Sequence, residues 1–227
     1  MIEKYFPNAI HMGDDFKEAF NETVYMTTVS ALIAGFIGLF LGILLLISNK
    51  NGLKANKYLY TFLDKLVDVG RSIPFIILLA VIYPFTRLIV GTSVGTSAAI
   101  VPIVVGTVPF FARQVQNALL EVDPGVIEAA KAMGTSTWGI IYRVYLREGL
   151  VSLIRVSNFT LINLIGLTTM AGAVGGGGLG QLAISKGYQR YHNDVTFVAL
   201  VLILLLVFIT QAIGNILIKF FTKGQRK

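Results

Sequence analysis

Residues 24–47 carry no charge, and that run decides most of what the chain can become. About 20 consecutive apolar residues cross the hydrocarbon core of a bilayer as a helix. In lipid, a helix or a closed barrel is what satisfies every backbone polar group internally. An element of a water-soluble core is shorter and has a polar face. The run begins late for a secretory signal, and the tail before it is acidic (Glu3, Asp14, Asp15, Glu18, Glu22) instead of basic.

Four further runs have the same character: 73–90, broken only by Arg87, then 96–112, 156–174 and 196–218. Charged residues make up 14% of the chain, against about 25% in soluble domains. These observations predict an all-α integral membrane protein with about five transmembrane helices. A tail over 1–23 precedes a membrane domain over 24–220, and 221–227 forms a second tail. Pro84 predicts a kink in the second span, and Pro102 and Pro109 lie inside the third, where neighbouring groups in a bundle re-satisfy freed carbonyls. Gly38 and Gly42 form a small-xxx-small pair that admits another helix closely. The segment 58–71 reads as a helical lead-in to the second span, with Asp64, Lys65, Asp68 and Arg71 at spacings that bring opposite charges such as Lys65 and Asp68 together.

Orientation follows from Lys and Arg outside the spans. Lys4, Lys17, Arg87, Lys186 and Arg190 fall on one side, and the other fourteen of 19 basic residues fall on the opposite side. That puts the amino terminus outside and the carboxyl terminus, with the segment 113–155, in the cytoplasm. The basic excess therefore flanks helices, and no basic stripe interleaves with aromatics as single-stranded nucleic acid requires. The chain has no cysteine. His11 and His192 are isolated, so no metal site is expected, and no nucleophile–base spacing suggests catalysis. No GxxxxGK[ST] sequence occurs, so ATP chemistry is not expected in this chain. Gly175, Gly177 and Gly180 match GxGxxG. A membrane helix precedes them instead of a strand, which excludes the dinucleotide reading. They predict a loosened outer end of the fourth span, lining a pathway. Phe159, Asn163, Gly166, Met170 and Ala173 share one helical face of that span and are expected to line the translocation pathway, with Met170 closing its outer end.

The cytoplasmic segment contains Asp123-Pro124-Gly125-Val126-Ile127-Glu128-Ala129-Ala130-Lys131-Ala132-Met133-Gly134. Asp123 is an N-cap, Pro124 a first helical residue and Gly134 a C-terminal stop. Val126, Ile127, Ala130 and Met133 form an apolar face. So short a helix is unstable alone and must dock. A second helix is expected over 138–145.

Glu128-Ala129-Ala130, three residues and Gly134 resemble the EAA loop of the permeases of ATP-binding-cassette (ABC) importers. The segments 70–79, 84–87, 108–113, 170–180 and 187–191 resemble the methionine-importer branch of that family, and the similarity extends over roughly 24–220. The resemblance implies a type I ABC importer permease fold, with a coupling helix that seats in a groove of a separate ATPase. Glu128, Ala129, Ala130, Met133 and Gly134 would form that contact. It further implies a second copy of the chain, an ATPase dimer holding ATP and magnesium, an extracytoplasmic binding protein of the methionine-binding lipoprotein type, and residence among the lipids of a bacterial inner membrane. The chain departs from the family at Leu146-Arg147, where Leu-Pro is usual, which leaves the end of the second cytoplasmic helix open. The alternatives are an ABC permease for another amino acid, or an ion-coupled secondary transporter or channel. The latter requires intramembrane ionisable groups, for which Asp64 and Asp68 are the candidates. A membrane enzyme finds no catalytic constellation.

Overall fold

The computed structural model describes residues 2–225; Met1 and the end of the carboxyl tail, Arg226 and Lys227, lie outside the described residues, and side chains are described from Lys4 to Thr222. After a helical turn at Ile2–Tyr5 and a 3-10 turn at Ala9–His11, the main elements are α1 (Gly13–Ser48), α2 (Lys57–Ser72), α3 (Phe75–Val90), α4 (Thr96–Leu120), α5 (Pro124–Ala132), α6 (Thr137–Ile140), α7 (Leu150–Ala171), α8 (Gly178–Gln181) and α9 (Asn193–Gln225). The described residues contain no strand.

Four helices are long and apolar enough to cross a membrane: α1, α4, α9, and α7 with its continuation to Gly176. The fifth crossing exists only if α2 and α3 are counted as one broken span, bent by 108° at Ile73-Pro74. The bend follows from the sequence. Pro74 has no N–H to donate and pushes its predecessor out of the α region, so α3 restarts after it. Pro102 and Pro109, by contrast, are absorbed into an unbroken α4.

The chain divides into two compact units. The first gathers the chain up to Ile33 with Ile73–Gly106 and Leu161–Thr210; the second gathers Ala34–Ser72, Thr107–Thr160 and the chain from Gln211. In the second unit Gly38 and Gly42 act as the small-xxx-small pair. A Cβ on Gly38 would stand 2.9 Å from the Phe111 ring, and one on Gly42 would stand 2.7 Å from the Ala112 carbonyl. Around this contact Leu46, Phe111, Val115 and Leu119 are buried together. The expected Lys65–Asp68 pairing is replaced by a different one. The Arg113 guanidinium donates to Asp64 at 2.7 Å, to Asp68 at 2.9 Å and to the buried Gln116 at 2.8 Å, while Arg71 stands 3.8 Å from Asp68. Arg113 wins because α4 runs on to Leu120 and carries it into the unit.

In the first unit, the buried residues form two clusters. Phe16, Ala19, Leu179, Val195 and Ala199 make one, and Met26, Ala99, Ile103, Leu164 and Ala171 make the other. Asp194 accepts from the Asn8 and Ala9 amides, both at 2.8 Å, and so ties the amino-terminal segment to the start of α9.

Candidate functional site

The helix α5 is built locally. The Asp123 side chain accepts from the Gly125 amide at 2.7 Å, and Pro124 stands at the first turn. At the other end Thr135 N–H donates to the Ala130 carbonyl and Gly134 N–H to the Lys131 carbonyl. That is a Schellman pair, and it requires the left-handed φ of +74° that Gly134 adopts.

The expected apolar face splits in two. Ile127 and Ala130 are buried among Leu119, Val122, Ile140, Val144 and Tyr145 of the same unit. Val126, Glu128, Ala129 and Met133 are exposed, Met133 at 77%. A helix of this period has room for both surfaces, one to hold it and one to offer. Of the five expected coupling residues, Ala130 therefore faces inward, while Glu128, Ala129 and Met133 face outward and Gly134 ends the helix.

The second helix expected in the segment 113–155 does not stop at Tyr145. It begins at α6, capped by Ser136 Oγ accepting from Gly139 N–H at 3.2 Å, passes through a π-turn at Ile141–Tyr145 and runs on as Leu146–Glu148 to a turn at Gly149. With Arg147 in place of a proline, nothing interrupts the backbone hydrogen bonding. Glu121 accepts from Ser152 Oγ at 2.6 Å and links the end of α4 to the start of α7.

On α7 and the turn that follows it, Leu164, Thr168 and Ala171 are buried, whereas Gly166 and Met170 are exposed and Asn163 and Ala173 are half-buried. These four lie in the first unit. Phe159, in the second, is 54% exposed and meets the Phe110 ring at 5.9 Å. The helix thus has one packed side, and the expected pathway residues lie away from it.

The glycine run loosens the end of the fourth span, as expected. It breaks the helix, with Val174 non-helical, Gly175 at φ +95° and Gly177 at φ +82°. Yet Gly172, Gly176, Gly177, Gly178 and Gly180 are buried. A Cβ on Gly172 would stand 2.6 Å from the Gln181 nitrogen, and one on Gly180 would collide with the Thr169 carbonyl. These glycines pack the turn closely, and the residue left exposed is Val174. Sequence reasoning missed what grips the turn. Gly178 N–H donates to Glu22 at 2.6 Å, and Leu179 N–H donates to the Thr23 hydroxyl at 2.8 Å. One signal was available: Glu22 is the last charge before the uncharged run of α1.

No group of three or more His, Cys, Asp or Glu suited to a metal ion occurs among the described residues. Comparison with known proteins decides the family. Residues 34–226 match the family described as binding-protein-dependent transport system inner membrane component. The chain belongs to that family. Among members of this transport-permease family, the methionine import system permease protein MetP of Bacillus subtilis is 47% identical over 220 residues, 96% of this chain and 97% of that protein. The probable D-methionine transport system permease protein MetI of Pasteurella multocida is 47% identical over 194 residues, 86% and 89% of the two chains. A structure of the MetNI methionine ABC transporter in an inward-facing conformation matches with TM-score 0.91 at 44% identity, over 92% of this chain and 97% of that one. An amino acid ABC transporter matches with TM-score 0.73 at 16% identity and shares the fold.

Proposed function

We infer that this chain is the permease subunit of an ABC importer and carries methionine across the inner membrane of a bacterium. The observation that carries the reading is the near full-length likeness, in sequence and in fold, to methionine permeases. Two copies form the pathway. Each presents one α5 to one subunit of an ATPase dimer, and that dimer holds ATP and magnesium. An extracytoplasmic binding protein delivers the substrate. The distribution of Lys and Arg supports an outer amino terminus and a cytoplasmic α5.

Transmission follows from the packing of α5. Ile127 and Ala130 share a cluster with Leu119 at the end of α4, and Leu153 and Val156 of α7 pack against it. Cores are close-packed and transmit displacement instead of absorbing it. A push on Glu128, Ala129 and Met133 therefore moves the ends of two spanning helices together. The ATPase selects between pathway states by its differential affinity for them. Phe159, Asn163, Gly166, Met170 and Ala173 are the proposed pathway face.

The ion-coupled alternative finds no support in its two candidate carboxylates, since Asp64 and Asp68 both accept from Arg113. Co-purification after mild extraction tests the reading. A stoichiometric nucleotide-binding partner is expected, and Ala129→Arg with Met133→Glu should release it without unfolding the permease. A monodisperse permease that never carries an ATPase would overturn the assignment.

A further inference from the structure

The surface offered to a partner does not end with α5. Thr135, whose amide completes the turn that closes α5, is also the first residue of an open groove lined by Thr135, Ser136, Trp138, Gly139, Tyr142 and Arg143. Trp138 and Tyr142 stack with ring centroids 6.3 Å apart and planes 26° apart, and they are 63% and 64% exposed. The opposite side of the same helix is fixed, because Ile140, Val144 and Tyr145 are buried with Ile127 and Ala130. The π-turn at Ile141–Tyr145 falls under this patch, and such turns recur at functional sites.

We propose that the Trp138–Tyr142 stack and its groove form a second anchor for the ATPase that receives α5, accepting an apolar side chain flanked by a carboxylate that faces Arg143. The inference rests on the importer reading and deepens it. Three observations favour this occupant. The groove is continuous with the docking helix, so a partner seated on Met133 reaches it. Its lining mixes hydroxyls and a guanidinium with the rings, a set that the apolar and carboxylate side chains of a protein surface can match together. Exposed, rigidly backed Trp and Tyr are the residue types that dominate binding energy at protein interfaces.

Trp138 is the chain's sole tryptophan, so its fluorescence reports on this patch alone when the ATPase is freed of tryptophan by substitution. The full permease is placed in vesicles, ATPase binding is followed by co-sedimentation, and iodide and brominated phosphatidylcholine serve as quenchers. The expected result is ready iodide quenching before the ATPase is added. Once the ATPase is bound, the emission should shift to the blue and iodide quenching should fall severalfold, with no quenching by brominated lipid in either state. Trp138→Ala and Arg143→Glu should each weaken ATPase binding about tenfold or more, while Trp138→Phe should retain most of it. If the ATPase co-sediments and Trp138 stays open to iodide, the patch is not an anchor and the importer reading stands. If brominated lipid quenches Trp138, the membrane is the occupant and the proposal fails. If no ATPase binds even to the unaltered permease, the importer reading fails and the anchor with it.

Discussion

Gly134 and the run Gly172–Gly180 both end a helix with positive-φ glycine, and they do so for different reasons. At Gly134 nothing lies within 4 Å of where a Cβ would stand, and the residue is required only for its φ of +74°. At Gly172 a Cβ would reach backbone at 2.6 Å, and at Gly178 it would reach the Thr23 hydroxyl at 2.6 Å. The first stop is made by its own neighbours in sequence. The second is made by α1, whose Glu22 and Thr23 lie 156 residues earlier than the amides they accept from. A locally made stop leaves its helix free to offer a surface. A stop made by distant contacts fixes the end of a span.

Substitutions that separate these two kinds of stop differ in size. Gly172→Val drives side-chain carbons into backbone and should cost about 3 kcal/mol, read as a large fall in melting temperature in detergent and a low yield of monodisperse protein. Glu22→Ala leaves the Gly178 amide without its acceptor and should cost about 2 kcal/mol. Glu22→Gln keeps a carbonyl acceptor and should restore most of that stability in the same melting assay. Gly134→Ala meets no neighbour and should cost only about 1 kcal/mol for the left-handed backbone. A larger loss there would show that α5 is held by contacts the comparison assigns only to the glycine run. Smallest of all, a cysteine at the exposed Met170 should leave melting nearly unchanged and react readily with a water-soluble maleimide, whereas one at Leu164, fully buried in the core, should cost about 2 kcal/mol and stay unreactive. The reverse pattern would overturn the proposed pathway face of α7.

The comparison also marks where sequence was legible. The helix α5 could be read almost residue by residue, because Asp123, Pro124 and Gly134 act on backbone within a few positions of themselves. The spanning helices could be read from uncharged runs, although their ends could not. α1 reaches back to Gly13 through acidic residues, and α4 continues past Arg113 to Leu120, since water or a partner charge beyond the apolar run permits helix to continue. Illegible were the features made by pairing across long separations: Arg113 on Asp64 and Asp68, Asp194 on the Asn8 and Ala9 amides, and Glu22 on Gly178. Periodicity places such residues on a face but does not say what the face meets. The split of Val126 and Met133 from Ile127 and Ala130 belongs to the same class, since one apolar stripe was divided between a buried and an exposed side.

Methionine uptake into proteoliposomes holding this permease, the proposed ATPase partner and a methionine-binding protein decides between ATP-driven and ion-coupled transport. The expected uptake requires ATP, survives an ionophore that collapses the proton gradient, and is lost in Glu128→Lys while the permease remains folded. Uptake without ATP that vanishes with the gradient, and is abolished by Asp64→Asn but not by Glu128→Lys, would contradict it.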